Sequence, residues 1–444
     1  MTPPLHGKRV LTTLDVDGTR IKIQPRVSHG RFLTRRRIVA YGLIALFVIL
    51  PRLRIGGRPA ILFDLVSREL DVFGLVFRPS DGLVLMLLGL SIVLAVFLVT
   101  ALYGRVWCGW GCPQSIYLEH LFRPVERWIE GTPAQRKKLD AAHGWKPRRI
   151  AKWVAFAGLS FVLANVFLAY FVGTDRLETW VFESPATHPG GFAVVAAVSA
   201  AVLFDFGYFR EQTCILACPY GRLQSVLLDR RSSIIAYDTR RAQDCIDCRA
   251  CVNTCPTGID IRDGLQMECI GCAQCIDACD PIMDRIKRPR GLVLYTSQAE
   301  LAGEPHEVLR VRTLVYPALL AAALGALGWS ILRRTGTEVW VERVSGPSFV
   351  DLPDGKVAAQ ARIKIENETD TPRAFTLSVV EPDAPLRGQA RWEVPPRTAR
   401  ELPVFVDVAR TSFRHGERPI HVRIDDAAGW QEVVAVTLLG PVTP

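Results

Sequence analysis

The chain lacks a glycine-rich dinucleotide fingerprint on a strand–helix unit, so no NAD or flavin site is evident from the sequence. It also lacks a convincing cleavable secretion signal. Residues 1–35 are polar, with turn sequences such as DVDGT, and no small-residue cleavage site follows the stretch LTRRRIVAYG. We therefore expect residues 1–35 to form a cytoplasmic N-terminal segment whose arginines anchor the membrane helix that follows.

Cysteine is absent from the C-terminal part of the chain, which excludes an inter-sheet disulfide there. Residues 338–440 instead consist of short, β-branched, partly alternating segments such as ARIKIEN and PIHVRID, separated by turn clusters such as LPDG and DDAAG. Around seven short strands over about 100 residues predict an all-β sandwich of the immunoglobulin type.

The composition favours a membrane protein. The chain has 444 residues, of which 49% are hydrophobic, and a formal net charge of +10. This length suits about three domains. The positive charge flanks apolar segments, which is typical of membrane proteins and gives no indication of nucleic-acid binding.

Five segments are apolar enough to span a bilayer, which takes about 20 residues. They are residues 36–53, 82–103, 150–172, 192–209 and 313–332. The loop 104–149 carries nine lysines or arginines, whereas the loop 173–191 carries only Arg176. The positive-inside rule therefore predicts that the first of these loops is cytoplasmic and the second external.

Alternation of the spans then places residues 210–312 in the cytoplasm and everything after residue 333 in the periplasm. One loop disagrees with this scheme, because residues 54–81 would be external although they contain four arginines. Its apolar stretch AILFDLVSRELDVFGLVF predicts an interfacial or re-entrant segment.

Eight cysteines form two runs of the same spacing. Residues 245–256 read CIDCRACVNTCP, and residues 269–281 read CIGCAQCIDACDP. The spacing Cys-x2-Cys-x2-Cys-x3-Cys is that of bacterial ferredoxins, in which the fourth cysteine of each run serves the other cluster. The predicted ligands are Cys245, Cys248, Cys251 and Cys279 for cluster one, and Cys269, Cys272, Cys275 and Cys255 for cluster two.

Zinc is the alternative metal for these runs. Its four-cysteine sites use two Cys-x2-Cys pairs on separated turns, which fits two consecutive three-cysteine runs poorly. The second run departs from the ferredoxin pattern because it ends Cys-Asp-Pro, and we expect this to shift the turn after Cys279 by one residue. We therefore predict two [4Fe–4S] clusters that carry single electrons.

The remaining four cysteines form two matching pairs, each about five residues after an apolar span. VWCGWGCPQ contains Cys108 and Cys112, and CILACPYGRLQ contains Cys214 and Cys218. Both pairs read Cys-x3-Cys-Pro, and residues i and i+4 share one face of a helical turn. The four thiolates are therefore expected to converge at the cytoplasmic membrane surface, where soft sulfur ligands select Cu(I), zinc or iron–sulfur clusters.

Two other roles remain open for these pairs, namely packing as small apolar side chains and a structural disulfide. Glu119 and His120, one or two turns after Cys112, are candidate extra ligands, although a lone histidine there is more often interfacial. Asp205 lies in a predicted span, where polar groups usually face the bundle interior and are functional.

The order of these parts resembles the cytochrome c oxidase accessory protein family CcoG, also called FixG or RdxA, over nearly the whole chain. The paired segments CGWGCPQSIYLEHLFRPVERWIEG and CPYGRLQSVLLD, the double ferredoxin run, the fifth span and the sandwich carry the resemblance. It implies a bacterial inner-membrane protein that acts in the maturation of cbb3-type cytochrome oxidase by reducing Cu(II) to Cu(I).

The resemblance assigns the copper and redox role to Cys108, Cys112, Cys214 and Cys218, and the cluster role to the other eight cysteines. The implied cofactors are two [4Fe–4S] clusters and copper. The implied partners are membrane lipid, oxidase assembly factors or copper chaperones and transporters, and a cytoplasmic electron donor that the sequence does not name. Two other functions fit the same sequence, a quinol-linked electron-transfer subunit of a respiratory system and a non-enzymatic assembly scaffold.

The predicted fold class is a multi-domain membrane protein. It combines an α-helical transmembrane bundle of about five spans, an inserted α+β two-cluster ferredoxin-like domain and a C-terminal all-β immunoglobulin-like sandwich. The predicted domains are the N-terminal segment 1–35, a four-span membrane domain 36–231, a ferredoxin-type domain 232–290, a linker 291–312, a fifth transmembrane helix 313–333 and a periplasmic sandwich 334–444.

Overall fold

The structure is a computed structural model that describes residues 13, 19–78, 81–142, 146–305, 307, 310–333, 336–342, 348–353, 355–369 and 371–441, with the backbone alone at 222, 225 and 226. The chain forms two compact units, Met1–Leu327 and Gly328–Pro444. Residues 1–12 and 14–18 of the predicted N-terminal segment, and residues 306, 308 and 309 of the predicted linker, lie outside the described residues.

The first unit is mainly helical. Its α-helices are Arg31–Ile49, Gly82–Tyr103, Val106–Trp110, Pro113–Tyr117, Arg123–Glu130, Pro133–Ala141, Pro147–Val172, Thr174–Phe182, Pro189–Phe204, Pro219–Leu227, Ala250–Thr254, Gln274–Arg285 and Gln298–Leu301, and the helix Val311–Leu332 runs across the unit boundary. Turns of π-helix occupy Leu118–Phe122, Asp205–Phe209 and Thr213–Ala217, and 3-10 turns occupy Leu50–Arg52, Thr239–Asp244 and Ile261–Asp263.

Four described helices are long and apolar enough to cross a membrane. They are Gly82–Tyr103, Pro147–Val172, Pro189–Phe209 and Val311–Leu332. They coincide with four of the five predicted spans, and the fit is closest for the second, whose predicted bounds were 82–103. Small fractions of these helices are buried in the protein, as expected for helices that expose apolar side chains to lipid.

The first predicted span differs from the other four. Its helix, Arg31–Ile49, has four arginines among its first seven residues, which leaves the apolar residues 38–49 for the hydrocarbon. Twelve helical residues extend over about 18 Å, less than the ~30 Å hydrocarbon core. Near its start Arg36 donates to the carbonyl of Gly109, and near its end Phe47 stacks on Tyr170 of the helix Pro147–Val172.

The segment that follows this helix is built of short strands, and its placement as an interfacial or re-entrant segment stays a prediction. Short strands lie at Arg54–Ile55, Arg58–Pro59, Ile61–Asp64, Glu69–Val72 and Leu75–Phe77. Three of the arginines that disagreed with the positive-inside rule have acidic partners. The pairs are Arg54–Asp175, Arg58–Asp71 and Arg78–Glu69, which partly explains how this loop carries so many cations.

The two cysteine runs lie in a small α+β region. Two strands pair antiparallel: Ile234–Tyr237 precedes the first run in the chain, and Val293–Thr296 follows the second. Helices Ala250–Thr254 and Gln274–Arg285 follow the second cysteine of each run. The apolar core that supports the cysteines consists of Ile235, Ile259, Ile261, Ala273, Ile276 and Val293.

The second unit is a sandwich of two antiparallel sheets, with nine strands in the part that the structure describes. One sheet runs in the order Leu386–Arg387, Thr398–Ala409, Lys356–Asn367, Thr337–Glu342, with Phe349–Asp351 also paired to the third of these. The other runs Arg391–Val394, Arg373–Val379, Glu417–Asp426, Gln431–Leu439. Alternate residues such as Val357, Ala359, Ile363 and Ile365 form the core, as the period of two predicts.

Candidate redox centre

The two cysteine runs repeat one backbone conformation. The residues immediately before and after the second cysteine of each run, Asp247 and Arg249 in the first and Gly271 and Ala273 in the second, all have left-handed φ angles between 51° and 68°. Alternating left- and right-handed residues turn successive backbone N–H groups into a concavity that holds anions, iron–sulfur centres included. The runs therefore match in conformation as well as in spacing.

Cys279, the last cysteine of the second run, lies among the first three cysteines of the other run. Burial raises the pKa of its thiol to about 12, and the charges of Cys251, Asp280, Cys248 and Cys245 add to the effect. The first predicted quartet is thus a spatial group, although its members come from both runs.

The second predicted quartet is also a spatial group. Burial raises the pKa of Cys275 well above its usual value, and Cys272, Cys269 and Cys255 raise it further. Cys251 and these four cysteines line one cavity. Buried thiols with raised pKa values stay protonated at neutral pH unless a metal displaces the proton. Two groups of four cysteines, each beside a left-handed loop, fit iron–sulfur clusters.

The chain after Cys279 differs from the sequence expectation. After Cys255 the helix ends and Pro256 leaves it, but after Cys279 the helix continues to Arg285 with Pro281 inside it. There is thus no turn displaced by one residue, and that prediction was wrong. The reason is that Pro281 lies in the second half of a helix whose packing on the core outweighs one lost backbone hydrogen bond.

The two Cys-x3-Cys-Pro motifs share a local structure. In each, the second cysteine has extended φ and ψ angles and caps a helix that begins with the proline. Its backbone N–H bonds to the carbonyl five residues earlier, at 2.8 Å both for Cys112 to Trp107 and for Cys218 to Thr213. The expectation that each pair lies on one regular helical face was wrong, because the chain leaves the helix before the second cysteine.

The two pairs face each other. The Cys108 thiol donates to Gln224 Oε1 at 3.0 Å, and Gln224 belongs to the helix that follows Cys218. Burial raises the pKa of Cys214 to about 12, and Cys112, Cys108 and Cys218 raise it further. The four thiols thus form one group, which we call the thiol group.

The thiol group is wider than a closed single-ion site. Among the described residues no three of its sulfurs lie within 4.8 Å of one another. Two sulfurs bound to one ion by bonds of about 2.3 Å lie at most about 4.6 Å apart. A single ion in this arrangement therefore contacts at most two of the four sulfurs unless the others move.

Gly109, between the cysteines of the first pair, packs directly on the second quartet. A Cβ added to Gly109 would stand 2.7 Å from the carbonyl oxygen of Ile270 and 3.0 Å from the backbone of Cys272. Arg105 crosses the same junction and donates to the carbonyls of Cys269, at 3.1 Å, and of Gly221, beside Cys218. The segment that carries the first thiol pair is therefore in contact with the loop that carries Cys272.

The other candidate residues have different surroundings. Glu119 pairs with Arg123. His120 is buried with its ring edge-on to Tyr41, and burial together with the charge of Arg36 lowers its pKa to about 4, so it is neutral at pH 7. Asp205 accepts hydrogen bonds from Gln114 and Thr213, which flank the second cysteine of one motif and the first of the other. Asp205 thus positions the motifs.

Sequence reasoning missed the buried charges around this centre. Arg36 is 1% exposed, and Glu126 is a buried partner of Arg210, Arg136 and Lys152. Arg123 joins Glu211 to the carbonyl of Pro256, next to Cys255. In the sequence these residues are visible only as charges beside apolar segments, and the positive-inside rule assigns such charges to the surface. Only packing distinguishes the buried charges from the exposed ones.

Family models match three parts of the chain. A 4Fe-4S dicluster domain matches residues 209–244 and 240–298, and a 4Fe-4S binding domain matches residues 85–131. The IG-like fold at the C-terminus of FixG matches residues 327–441. A solved FixG-related protein from Vibrio parahaemolyticus matches 24% of this chain and all of that one at 16% identity, with a TM-score of 0.22.

Curated relatives match over most of their length. RdxA of Cereibacter sphaeroides is 34% identical over 92% of this chain and 94% of its own. RdxB of the same organism is 33% identical over 80% and 81%, and FixG of Rhizobium meliloti is 29% identical over 94% and 92%. With its four apolar helices, its iron–sulfur domains and its immunoglobulin-like C-terminal unit, the chain belongs to the RdxA and FixG family of iron–sulfur electron-transfer proteins.

Proposed function

We propose that this protein transfers single electrons from two [4Fe–4S] clusters to Cu(II) at the thiol group and delivers Cu(I) for assembly of a cbb3-type cytochrome c oxidase. The eight ferredoxin-type cysteines hold the clusters, in the quartets described above. The substrate is Cu(II), and the product is Cu(I).

The observation that carries this proposal is the contact between Gly109 and the Cys272 loop. Cys108 is one residue from Gly109, so this contact supports a short path for an electron from the proposed cluster two to a thiol. Four half-buried thiols that face each other suit the product Cu(I), because soft thiolate ligands select Cu(I) over harder ions. His120 as an additional copper ligand stays a prediction.

The proposed location is the bacterial inner membrane. The N-terminus and the cluster domain would lie in the cytoplasm, where a soluble donor supplies electrons, and the C-terminal sandwich in the periplasm, where oxidase assembly factors and copper carriers bind. The nine cations of residues 104–149 against the single Arg176 of residues 173–191 support this orientation.

Reduction of copper by anaerobically purified protein tests the proposal. The protein is reduced, freed of excess reductant and mixed with Cu(II) and a chromophoric Cu(I) chelator. We expect about one Cu(I) for each reduced cluster, with bleached cluster absorbance returning to the oxidised level. The variant with Cys108, Cys112, Cys214 and Cys218 replaced by serine should keep its cluster absorbance and lose the reaction.

Undiminished copper reduction in this variant would remove the thiol group from the mechanism. Reduction of the clusters by a quinol, without any transfer to copper, would favour a quinol-linked respiratory subunit instead. A sandwich-deleted chain that still reduces copper but no longer supports oxidase assembly would assign a scaffold role to the C-terminal unit.

A further inference from the structure

Arg36 is buried at the junction between the thiol group and the second quartet. Its Nε donates to the carbonyl of Gly109 at 2.8 Å. Its two other guanidinium nitrogens, Nη1 and Nη2, are buried and have no hydrogen-bond partner among the described residues. A buried cation with unsatisfied donors is costly unless an anion stands beside it. The position therefore suits a negatively charged group.

The nearby carboxylate does not fill this role. Glu119 is close enough for Arg36 to lower its pKa against the effect of burial, but its hydrogen bond comes from Arg123. The other neighbour is a cluster ligand. Arg36 binds the carbonyl of Gly109, where an added Cβ would stand 3.0 Å from the backbone N and Cα of Cys272. The free guanidinium edge thus lies within electrostatic reach of the second quartet.

The first quartet has a different electrostatic environment. Its nearby arginines are paired with carboxylates: Arg262 bonds to Asp260 at 2.6 and 2.8 Å and also to Asp247, and Arg249 lies 3.9 Å from Asp247. Asp280, which accepts a hydrogen bond from the backbone N–H of Gly291, follows Cys279 directly in the chain and adds a negative charge there. One quartet thus lies near an unneutralised buried cation and the other near carboxylates.

We infer that Arg36 makes the reduction potentials of the two clusters unequal. Cluster two has the higher potential and is the cluster from which the electron leaves. The inference rests on the two clusters assigned under Proposed function. Four thiolates make a cluster site net negative, and gaining an electron makes it more so. Net charge and hydrogen bonds to the sulfurs set the potential of such clusters, and a neighbouring cation raises it.

The direction of transfer follows from this order of potentials. Cys248 of the first quartet is exposed, so a reduced one-electron carrier can approach cluster one. The electron then passes to cluster two, where its free energy is lower because the reduction potential is higher, and cluster one returns to its oxidised state. Cluster two holds the electron next to Gly109 and the thiol group, where Cu(II) accepts it.

A potentiometric titration followed by EPR, on the anaerobic full-length protein without copper, tests this inference. The variants C248A and C275A disrupt cluster one and cluster two respectively and assign the two signals. We expect the higher potential for cluster two. In R36M the equilibrium constant for reducing cluster two should fall at least tenfold, which is 59 mV for one electron. Cluster one should be unaffected.

R36K and R35M are the matched variants. Lysine keeps the charge and should leave most of the potential difference, whereas Arg35 is exposed on the same helix, so R35M should change neither potential. A role of Arg36 in packing alone would change stability or iron content without changing one potential selectively.

A lower potential for cluster two than for cluster one in the wild type would overturn the inference. So would an R36M protein with full iron content and unchanged or equally shifted potentials. If R36M loses iron, the order of the two reduction potentials in the wild type and the potentials measured for R36K decide whether the inference holds. The titration contains no copper, so its result stands even if the protein fails to reduce copper. An iron content too low for two clusters would instead contradict the cluster assignment itself.

Discussion

Gly109 of the first thiol pair lies against the backbone of Cys272, a cysteine of the second quartet. A Cβ on Gly109 would stand 3.0 Å from both the N and the Cα of Cys272, closer than side-chain carbons ordinarily approach backbone. The close contact of the two sites therefore requires glycine at position 109.

Valine at position 109 is expected to separate the two sites. Its branched side chain would push the Val106–Trp110 helix away from residues 270–272, at a cost of about 1–3 kcal/mol for overpacking. Single-turnover oxidation of the reduced clusters by Cu(II) should slow in G109V, while iron content stays at the wild-type level. The control is G42V, because a Cβ on Gly42 meets nothing within 4 Å. Equal rates in G109V and the wild type would show that electrons leave elsewhere.

The exchange of fourth cysteines between the runs predicts which double variants keep a cluster. Cys255 and Cys275 belong to one quartet, so C255A/C275A should retain about half of the iron. Cys251 and Cys255 belong to different quartets, so C251A/C255A should lose nearly all of it. If each run instead bound its own cluster, these two results would be reversed. Iron analysis of anaerobically purified protein distinguishes the two patterns.

Glu126 is expected to make the stability of the first unit depend on pH. Burial alone would raise its pKa, but Arg210, Lys152 and Arg136 outweigh burial and lower the pKa from 4.5 to about 2. Because the folded-state pKa is depressed, ionised Glu126 stabilises the fold at neutral pH. That stabilisation is lost as the pH falls from about 4.5 through about 2.

The variant E126Q should unfold more easily at pH 7, by about 3–5 kcal/mol, because it leaves buried cations without their carboxylate. The difference from the wild type should narrow toward pH 2, and thermal unfolding in detergent would measure it. The control E178Q removes an exposed carboxylate and should change little. A melting temperature of E126Q equal to that of the wild type at pH 7 would contradict the predicted role of this network.

Much of the fold could be predicted because its signals are local. The apolar run 82–103 became the helix Gly82–Tyr103 without a shift at either end, since a span is defined by its own composition. The sandwich strands follow the period of two, as in Lys356–Asn367. The segment 54–81 could not be predicted in the same way, because its short strands depend on cross-strand pairing and on ion pairs to residues such as Asp175.

The sequence by itself determined which cysteines share a spacing pattern, because spacing is a property of the chain: two ferredoxin runs and two Cys-x3-Cys-Pro pairs can be identified without coordinates. Only the tertiary structure decided where these sites meet. Three contacts join residues more than 70 positions apart in the chain: Gly109 with Cys272, Cys108 with Gln224, and Arg36 with Gly109. The physical reason is that burial is set by packing: of the three arginines in LTRRRIVAYG, Arg36 alone is buried, and periodicity cannot identify it.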